Sequence, residues 1–430
     1  MRDTVLQMRF TTLDPYEDRY ARRVFGMRSS AMRDLMAITQ RPEVISLAGG
    51  LPDTGAFDRT VLAELVSRIA LEQGPTALQY GPTEGIRPIV DVVCDVMRHE
   101  GMEPDPANII VTTGGQQVLD LFARTFIDPG DVVIAEGPTY PGVIPCFSAV
   151  QADVRQIPLD EEGLDPERVE AMLDDLAREG LRAKYLYTIP TFQNPGGVTT
   201  TLARRERLVE LAHERDLIVL EDNPYSLLRY EGEPVPTLRS LDRYERVSYL
   251  GTFSKIFSPG VRVGWIEAPA PILARINLMK QAADLCSSTF MQLLITSFFT
   301  GDGTETWVEW VDRLCGIYRV RRDAMVEAIH EHFPAETSFT VPQGGLFLWA
   351  TLPPVVDTTD LLARSLERNV AFVPGASAYL DGRSGTSSMR LNFSAMDPDR
   401  IREGVARIGA TAKEVLGLAS SLGLDSRGAG

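Results

Sequence analysis

Cysteine and histidine are both scarce in this chain of 430 residues, with four of each. Cys94, Cys146, Cys286 and Cys315 are widely spaced and form no CxxC pair, which argues against a disulfide scaffold and against a zinc site. His330 and His332 stand two apart and would diverge on a helix, so they are expected at the surface and no metal is expected. Long apolar runs are missing as well. None reaches the roughly 18 residues that suggest a membrane span, and Met1-Arg2-Asp3-Thr4 opens no apolar signal-peptide core. No membrane partner is expected, and the cytoplasm is the default location. Positive charge is in deficit, with a formal net charge of -16. That argues against a general nucleic-acid surface and leaves room for a local basic pocket that takes an anionic substrate.

What remains is ordinary for a globular protein: 44% hydrophobic and 24% charged residues, in a chain long enough for a large core and more than one domain. Arg28 to Thr39 reads as a short amphipathic helix ended by Pro42. Ile45 to Pro52 is an extended segment entering the Gly49-Gly50 turn. Those glycines permit a ligand to approach the backbone, or simply reverse the chain. Helices are predicted over Val61–Glu72 and Gly85–His99. Short apolar strands then alternate with helices: strand Ile109–Thr113, helix Gln116–Phe126, strand Asp131–Ala135, helix Tyr140–Val150, strand Lys184–Ile189, helix Thr200–Arg215, strand Leu217–Leu220, and strands Val247–Leu250 and Val261–Ile266. The pattern predicts an α/β domain with a mainly parallel sheet. Asp284–Phe299 and Thr304–His332 read as helical. Strands at 344–349, 370–373 and 389–393, with helices at 360–367 and 399–416, predict a smaller α+β domain. The Gly/Ser-rich stretch from Ser420 is expected to fray.

One segment carries more chemistry than the others: Gly251-Thr252-Phe253-Ser254-Lys255, continuing to Gly260-Val261-Arg262. Pyridoxal phosphate needs an amine for its aldehyde, an anion for its ring nitrogen, donors for its phenolate oxygen and a phosphate cradle. Lys255 can supply the amine and, once displaced by substrate, move a proton between Cα and C4′; a lone lysine is otherwise a surface residue. Asp222 ends the apolar run Leu217–Glu221, where strand ends face ligand crevices. It can keep the pyridine nitrogen protonated, or serve as a turn or cap residue. Asn194, in Gln193-Asn194-Pro195-Gly196-Gly197, and Tyr225, three residues after Asp222, can each donate to the phenolate oxygen or belong to ordinary turns. Gly114-Gly115-Gln116 lies between a strand and a helix, where free amides and the helix dipole suit a phosphate. Ser254 and Arg262 can add a hydroxyl and a fixed charge. Tyr140 can stack on the ring or fill the core. Arg390, in an alternating strand, can grip an α-carboxylate at two points or face outward.

Taken together and in order, these motifs resemble the fold-type I pyridoxal-phosphate aminotransferases. They are most similar to the group holding 2-aminoadipate and kynurenine aminotransferases and the aminotransferase-like domains of MocR regulators. The resemblance runs from about Arg28 to Leu416, carried by Leu47–Pro52, Thr112–Gln117, Phe192–Pro195, Glu221–Tyr225 and the Ser254–Arg262 block. It implies a mainly parallel seven-stranded sheet, an arm with a substrate-covering helix at 1–45, a large cofactor domain at 46–300, a connector helix and small domain at 301–416, and a flexible tail at 417–430. It implies a homodimer with active sites shared near the interface, in which Tyr80 reaches the neighbouring subunit's phosphate. Lys255 matches the cofactor-bearing lysine and Asp222 the partner of the ring nitrogen. Asn194 and Tyr225 match the phenolate contacts, and Gly115, Gln116, Ser254 and Arg262 the phosphate site. Arg390 matches the α-carboxylate clamp, Gly50 borders the substrate, and Arg33 matches an arginine that can meet an acidic side chain. Two positions depart from the pattern: Gly115 stands where serine is frequent, and Gly196 replaces the threonine of Asn-Pro-Thr-Gly. The additional DNA-binding domain of MocR regulators, roughly 70 residues or more, has no counterpart ahead of the matched region, so a DNA-binding regulator is disfavoured.

The expected reaction is transfer of an amino group from an L-amino acid to a 2-oxo acid, with 2-oxoglutarate as acceptor, in a ping-pong mechanism. Acidic, aromatic and aliphatic donors are all compatible. A lyase, decarboxylase or racemase would use the same cofactor and the same residues, and a noncatalytic sensor would need no intact set of lysine, aspartate and arginine.

Overall fold

Val132 and Ile134 face one side of a strand, Val133 and Ala135 the other, and all four are buried. A strand apolar on both faces must be covered on both, which a parallel sheet between helices achieves. The computed structural model, which describes residues 14–27, 35, 41–301 and 305–423, has that arrangement. Thirteen strands occur among the described residues: β1 (Ile45–Ser46), β2 (Ile109–Thr112), β3 (Val132–Gly137), β4 (Asp153–Pro158), β5 (Ala183–Thr188), β6 (Ile218–Asp222), β7 (Val247–Thr252), β8 (Gly264–Glu267), β9 (Ser338–Phe339), β10 (Phe347–Thr351), β11 (Val370–Ala371), β12 (Val373–Pro374) and β13 (Ser388–Asn392). Seven form the central sheet in the order β2-β8-β7-β6-β5-β3-β4. β8 is antiparallel to both its neighbours, and the other pairs are parallel. The expected mainly parallel seven-stranded α/β fold is therefore the one found.

The two faces of the sheet are packed separately. Val133, Ala135, Tyr185, Tyr187, Leu220 and Leu250 share a core with the helices Gly115–Phe126, Ile144–Ala149 and Ala270–Ala283. Val132, Ile134, Leu186, Val219 and Val247 pack against Pro166–Arg178 and Leu202–Glu214. The alternation of partners along each strand is the period-two pattern of a pleated chain. A 26-residue helix, Trp307–His332, begins with a capping box between Thr306 and Glu309. It packs against the helix Pro398–Ser421, and its Leu314, Met325 and Ile329 share a core with Leu348, Ala350, Met389 and Leu391 of the four-stranded antiparallel sheet β12-β13-β10-β9. β1 pairs with β11 rather than with the central sheet.

Several local expectations shift. The helix expected at Tyr140 starts at Ile144, and the one expected from Asp284 starts at Thr289, capped by Ser288. Val261 belongs to a short 3-10 turn, Pro259–Val261, rather than to a strand, because Pro259 and Gly260 break the extended run. β4 and the helices Pro166–Arg178 and Ala270–Ala283 are additional. The helix expected over Arg28–Thr39 lies outside the described residues, apart from Leu35.

Gly251 opposes Trp265 across β7 and β8, and a Cβ there would sit 2.1 Å from Trp265 Cζ2. Gly251→Ala is expected to destabilise the fold by about 1–3 kcal/mol, read as a lower thermal midpoint; an unchanged midpoint would contradict this packing.

Candidate active site

The carboxyl ends of β5, β6 and β7 converge on one cavity of about 350 Å³. Parallel strands place their ends, and the loops that follow, on one edge of the sheet. Gly50, Gly115, Gln116, Tyr140, Asn194, Asp222, Tyr225, Ser254, Lys255, Arg262 and Arg390 all line this cavity. Of the other residues singled out from the sequence, Tyr80 stands apart, 79% exposed and outside the cavity lining, and Arg33 lies outside the described residues.

Asp222 is the last residue of β6 and is buried. Its carboxylate accepts a 2.6 Å hydrogen bond from the Tyr187 hydroxyl. Burial pushes its pKa up to about 6, with Tyr187 and the charge of Lys255 pulling the other way. Lys255 follows β7, and its Nζ donates to the Gly50 carbonyl at 2.8 Å. Burial, then the positive fields of Arg390 and Arg262, depress its pKa to about 8, while Asp222 opposes them. The amine is thus far easier to deprotonate than an ordinary lysine, as a nucleophile or proton carrier requires.

A second group of residues meets above this pair. Arg390, in β13, donates to Asn194 Oδ1 at 2.9 Å and to the Ala48 carbonyl at 2.7 Å. Its guanidinium lies 4.3 Å from the centre of the Phe347 ring, so its plane is fixed from two directions. Asn194 Nδ2 donates to the Tyr225 hydroxyl at 3.3 Å. Arg390, Asn194 and Tyr225 are all at most 3% exposed. A buried, oriented guanidinium beside an amide and a phenol can receive a carboxylate and a neighbouring oxyanion.

The third group is an anion cradle. Gly114 adopts φ +76°, and Gly115 opens the helix Gly115–Phe126, directing free amides at the cavity. A Cβ on Gly114 would lie 2.4 Å from the guanidinium of Arg262, so glycine is required for that arginine to rest against the turn. Arg262 itself is left-handed, with φ 52°, and donates to the Thr113 carbonyl at 3.3 Å. Thr252 Oγ1 donates to Ser254 Oγ at 2.9 Å and accepts from the Ser254 amide, holding that hydroxyl in place. Gln116 Nε2 donates to the Gly142 carbonyl at 2.7 Å. A Cβ on Gly115 would come within 3.1 Å of Leu250, so the missing serine leaves the amide and avoids a tight contact.

The sequence reading missed Tyr187, Thr252 and Phe347. Tyr187 pairs in register with Leu220, two residues before Asp222 on the same face. The signal was there only for a reader who already had the parallel register. The residues fit pyridoxal phosphate: an anion for the ring nitrogen, an amine for the aldehyde, two donors near one point, and a phosphate cradle that a Cβ at residue 114 would fill.

A family model described as aminotransferase class I and II matches residues 42–408. An aromatic-amino-acid aminotransferase 1 of Thermococcus litoralis is 41% identical over 404 residues, covering 94% of this chain and 96% of that protein. A crystal structure of Pyrococcus horikoshii kynurenine aminotransferase, in complex with PMP, KYN as substrates and KYA as products, superposes with a TM-score of 0.88 at 39% identity, covering 94% of this chain and 99% of that one. LysN, the alpha-aminoadipate aminotransferase of Thermus thermophilus, complexed with N-(5'-phosphopyridoxyl)-L-leucine, superposes with a TM-score of 0.86 at 35% identity, covering 94% and 99%.

Since only the neutral amine attacks an aldehyde, the rate at which cofactor-free protein captures pyridoxal phosphate should rise with pH and level off above about 8. Stopped-flow absorbance tests this. A midpoint near the ordinary lysine value of 10.5 would contradict the depressed pKa.

Proposed function

This chain belongs to the class I and II aminotransferases and is a pyridoxal-phosphate-dependent enzyme, and from that premise we propose that it carries the amino group of an L-amino acid to 2-oxoglutarate by a ping-pong route through one cavity. The observation that carries this reading is the convergence of Lys255, Asp222, Asn194 and Arg390 on the same cavity. When bound, the cofactor supplies an electron sink for the pair left on the substrate Cα after proton removal.

The chain's own residues do the rest. Lys255 anchors the cofactor aldehyde and then, as a free amine, takes the proton from Cα and returns it at C4′. A pKa near 8 keeps both of its protonation states accessible around neutrality. Asp222 would face the pyridine nitrogen and hold its proton there, and that cationic partner would offset the cost of a buried carboxylate. Asn194 and Tyr225 would donate to the phenolate oxygen, and Tyr140, which lines the same cavity, would stack on the ring. The amides of Gly115 and Gln116, the Ser254 hydroxyl and the Arg262 guanidinium would receive the phosphate. Arg390 orients the substrate α-carboxylate, with Gly50 bordering the same space. A Cβ on Gly50 would lie 2.9 Å from Phe347, so glycine lets that ring pack against the turn. In this reading the working unit is a cytoplasmic homodimer in which the exposed Tyr80 reaches the neighbouring subunit's phosphate, and Arg33 meets an acidic substrate side chain.

We place the large domain at 46–300, the small domain from 301 onward and an arm at 1–45; the expected tail boundary at 417 is corrected, because the helix Pro398–Ser421 continues through it with Ala419 buried. For the donor, the relatives' names support 2-aminoadipate and aromatic amino acids, including kynurenine. The apolar lining by Leu51, Tyr140, Ile189 and Phe347 suits aromatic and aliphatic side chains. No helix among the described residues is long and apolar enough to cross a membrane.

A donor panel followed through the first half-reaction tests the assignment. Without acceptor, L-2-aminoadipate, L-phenylalanine, L-kynurenine or L-leucine should bleach the cofactor's visible band and release the matching 2-oxo acid. Adding 2-oxoglutarate should restore the band and yield glutamate. Arg390→Ala should raise the donor KM at least tenfold, on the order expected for a lost charged contact. Release of carbon dioxide, or inversion at Cα, without amino transfer would overturn the reading.

A further inference from the structure

Behind Asn194 sits a carboxylate that the reaction itself does not use. Glu136, near the end of β3, is 1% exposed. Its Oε1 accepts from Thr188 Oγ1 at 2.5 Å and from the Ile189 amide at 3.0 Å, and its Oε2 accepts from Gln193 Nε2 at 2.9 Å. All three partners are donors, so the position needs a side chain that only accepts. We propose that Glu136 is a positioning residue for Asn194 and Arg390, acting through Gln193. The proposal rests on the roles given above to Asn194 and Arg390.

The chain of contacts has no slack. Gln193 Nε2 donates both to Glu136 and to the Pro138 carbonyl at 2.8 Å, while Gln193 Oε1 accepts from the Gly196 amide at 2.6 Å. Rotating this amide by 180° would set its oxygen against the Pro138 carbonyl and its nitrogen against the Gly196 amide. Its orientation is therefore fixed. The backbone of Gln193 closes the same turn, donating to the Val198 carbonyl and accepting from the Gly197 amide. Asn194 rides on this turn, its Nδ2 directed to Tyr225 and its Oδ1 to Arg390.

The geometry also accounts for Gly196. A Cβ there would stand 2.9 Å from Gln193 Oε1, so glycine keeps the amide-to-backbone bond that locks Gln193. Glu136→Gln is the informative change. Its oxygen can keep Thr188 and Ile189, but its NH2 would face the NH2 of Gln193. Only the link toward Asn194 is broken, and neither amide can turn to repair it.

The test is a double-mutant cycle on holoenzyme: the parent, Glu136→Gln, Asn194→Ala and the pair. The probe is 3-phenylpropanoate, a carboxylate with no amino group to transfer. Its dissociation constant is read by fluorescence titration at pH 8.5, above the value of about 7 to which burial pushes Glu136. Thermal midpoints are recorded alongside. Glu136→Gln should weaken binding roughly tenfold, and the pair should bind no more weakly than Asn194→Ala alone, since both act on one contact. Unchanged affinity in Glu136→Gln, or a full and additive effect in the Asn194→Ala background, would overturn the proposal. Unchanged affinity in Asn194→Ala would instead overturn the role of Asn194 and remove the proposal's footing. If Glu136→Gln yields no folded holoenzyme, Gln193→Met removes the same link and carries the same expectation.

Discussion

The arrangement turns on a buried carboxylate. Asp222 is 5% exposed at the end of an apolar strand, and burying its charge is costly unless a donor or cation meets it. One edge of the oxygen pair has its partner in Tyr187, from the adjacent strand β5. Lys255, from the other adjacent strand end, adds a favourable field. The three strands are parallel neighbours in the sheet, so the tyrosine, the aspartate and the lysine arrive at one edge as a consequence of pairing order. A cationic ring nitrogen is the partner such a carboxylate calls for, and the amine beside it, with its depressed pKa, suits the chemistry of an aldehyde.

The second constraint is that substrate-facing groups come from distant parts of the chain. The segment from Ala48 to Asp53 is tied from several sides. Arg390 donates to the Ala48 carbonyl, Lys255 to the Gly50 carbonyl and Ser394 to the Leu51 carbonyl at 2.7 Å. Asp53 pairs with Arg321 at 2.7 Å, and its amide donates to the Tyr318 hydroxyl. Arg321 and Tyr318 lie on the long helix Trp307–His332. The segment thus connects the cofactor-bearing lysine, the carboxylate-binding arginine and that helix.

Much of this was legible in the sequence, for a physical reason. Short runs of Val, Ile and Leu bounded by glycine or proline mark buried strands, and most of the chemistry-bearing residues sit at their ends or just past them, Arg390 inside β13 being the exception. Lys255, Asp222, Asn194, Tyr225, Arg262 and Arg390 could therefore be proposed from local pattern and order. Tyr187, Phe347 and Glu136 could not, because their importance depends on which strands pair and in what register. β4 was missed because its residues Asp153–Pro158 are mostly half-buried and alternate poorly. The helix Pro166–Arg178 carries its own signal, an Asp165 cap followed by proline at its first turn. Gly115 and Gly196 looked like losses in the sequence; in the fold, each removes a Cβ that would crowd a neighbour.

The chain holds only four lysines, at positions 184, 255, 280 and 413. Lys184 is paired with Asp131 at 3.0 Å, Lys280 is buried against Asp284 at 2.7 Å, and Lys413 is exposed. Lys255 alone lines the cavity. Loading the protein with pyridoxal phosphate, reducing it with borohydride and mapping the peptides tests the central claim directly. The account predicts a stable pyridoxyl group on Lys255 and on none of the other three. A label on Lys184, Lys280 or Lys413 in its place, or no label at all, would contradict it.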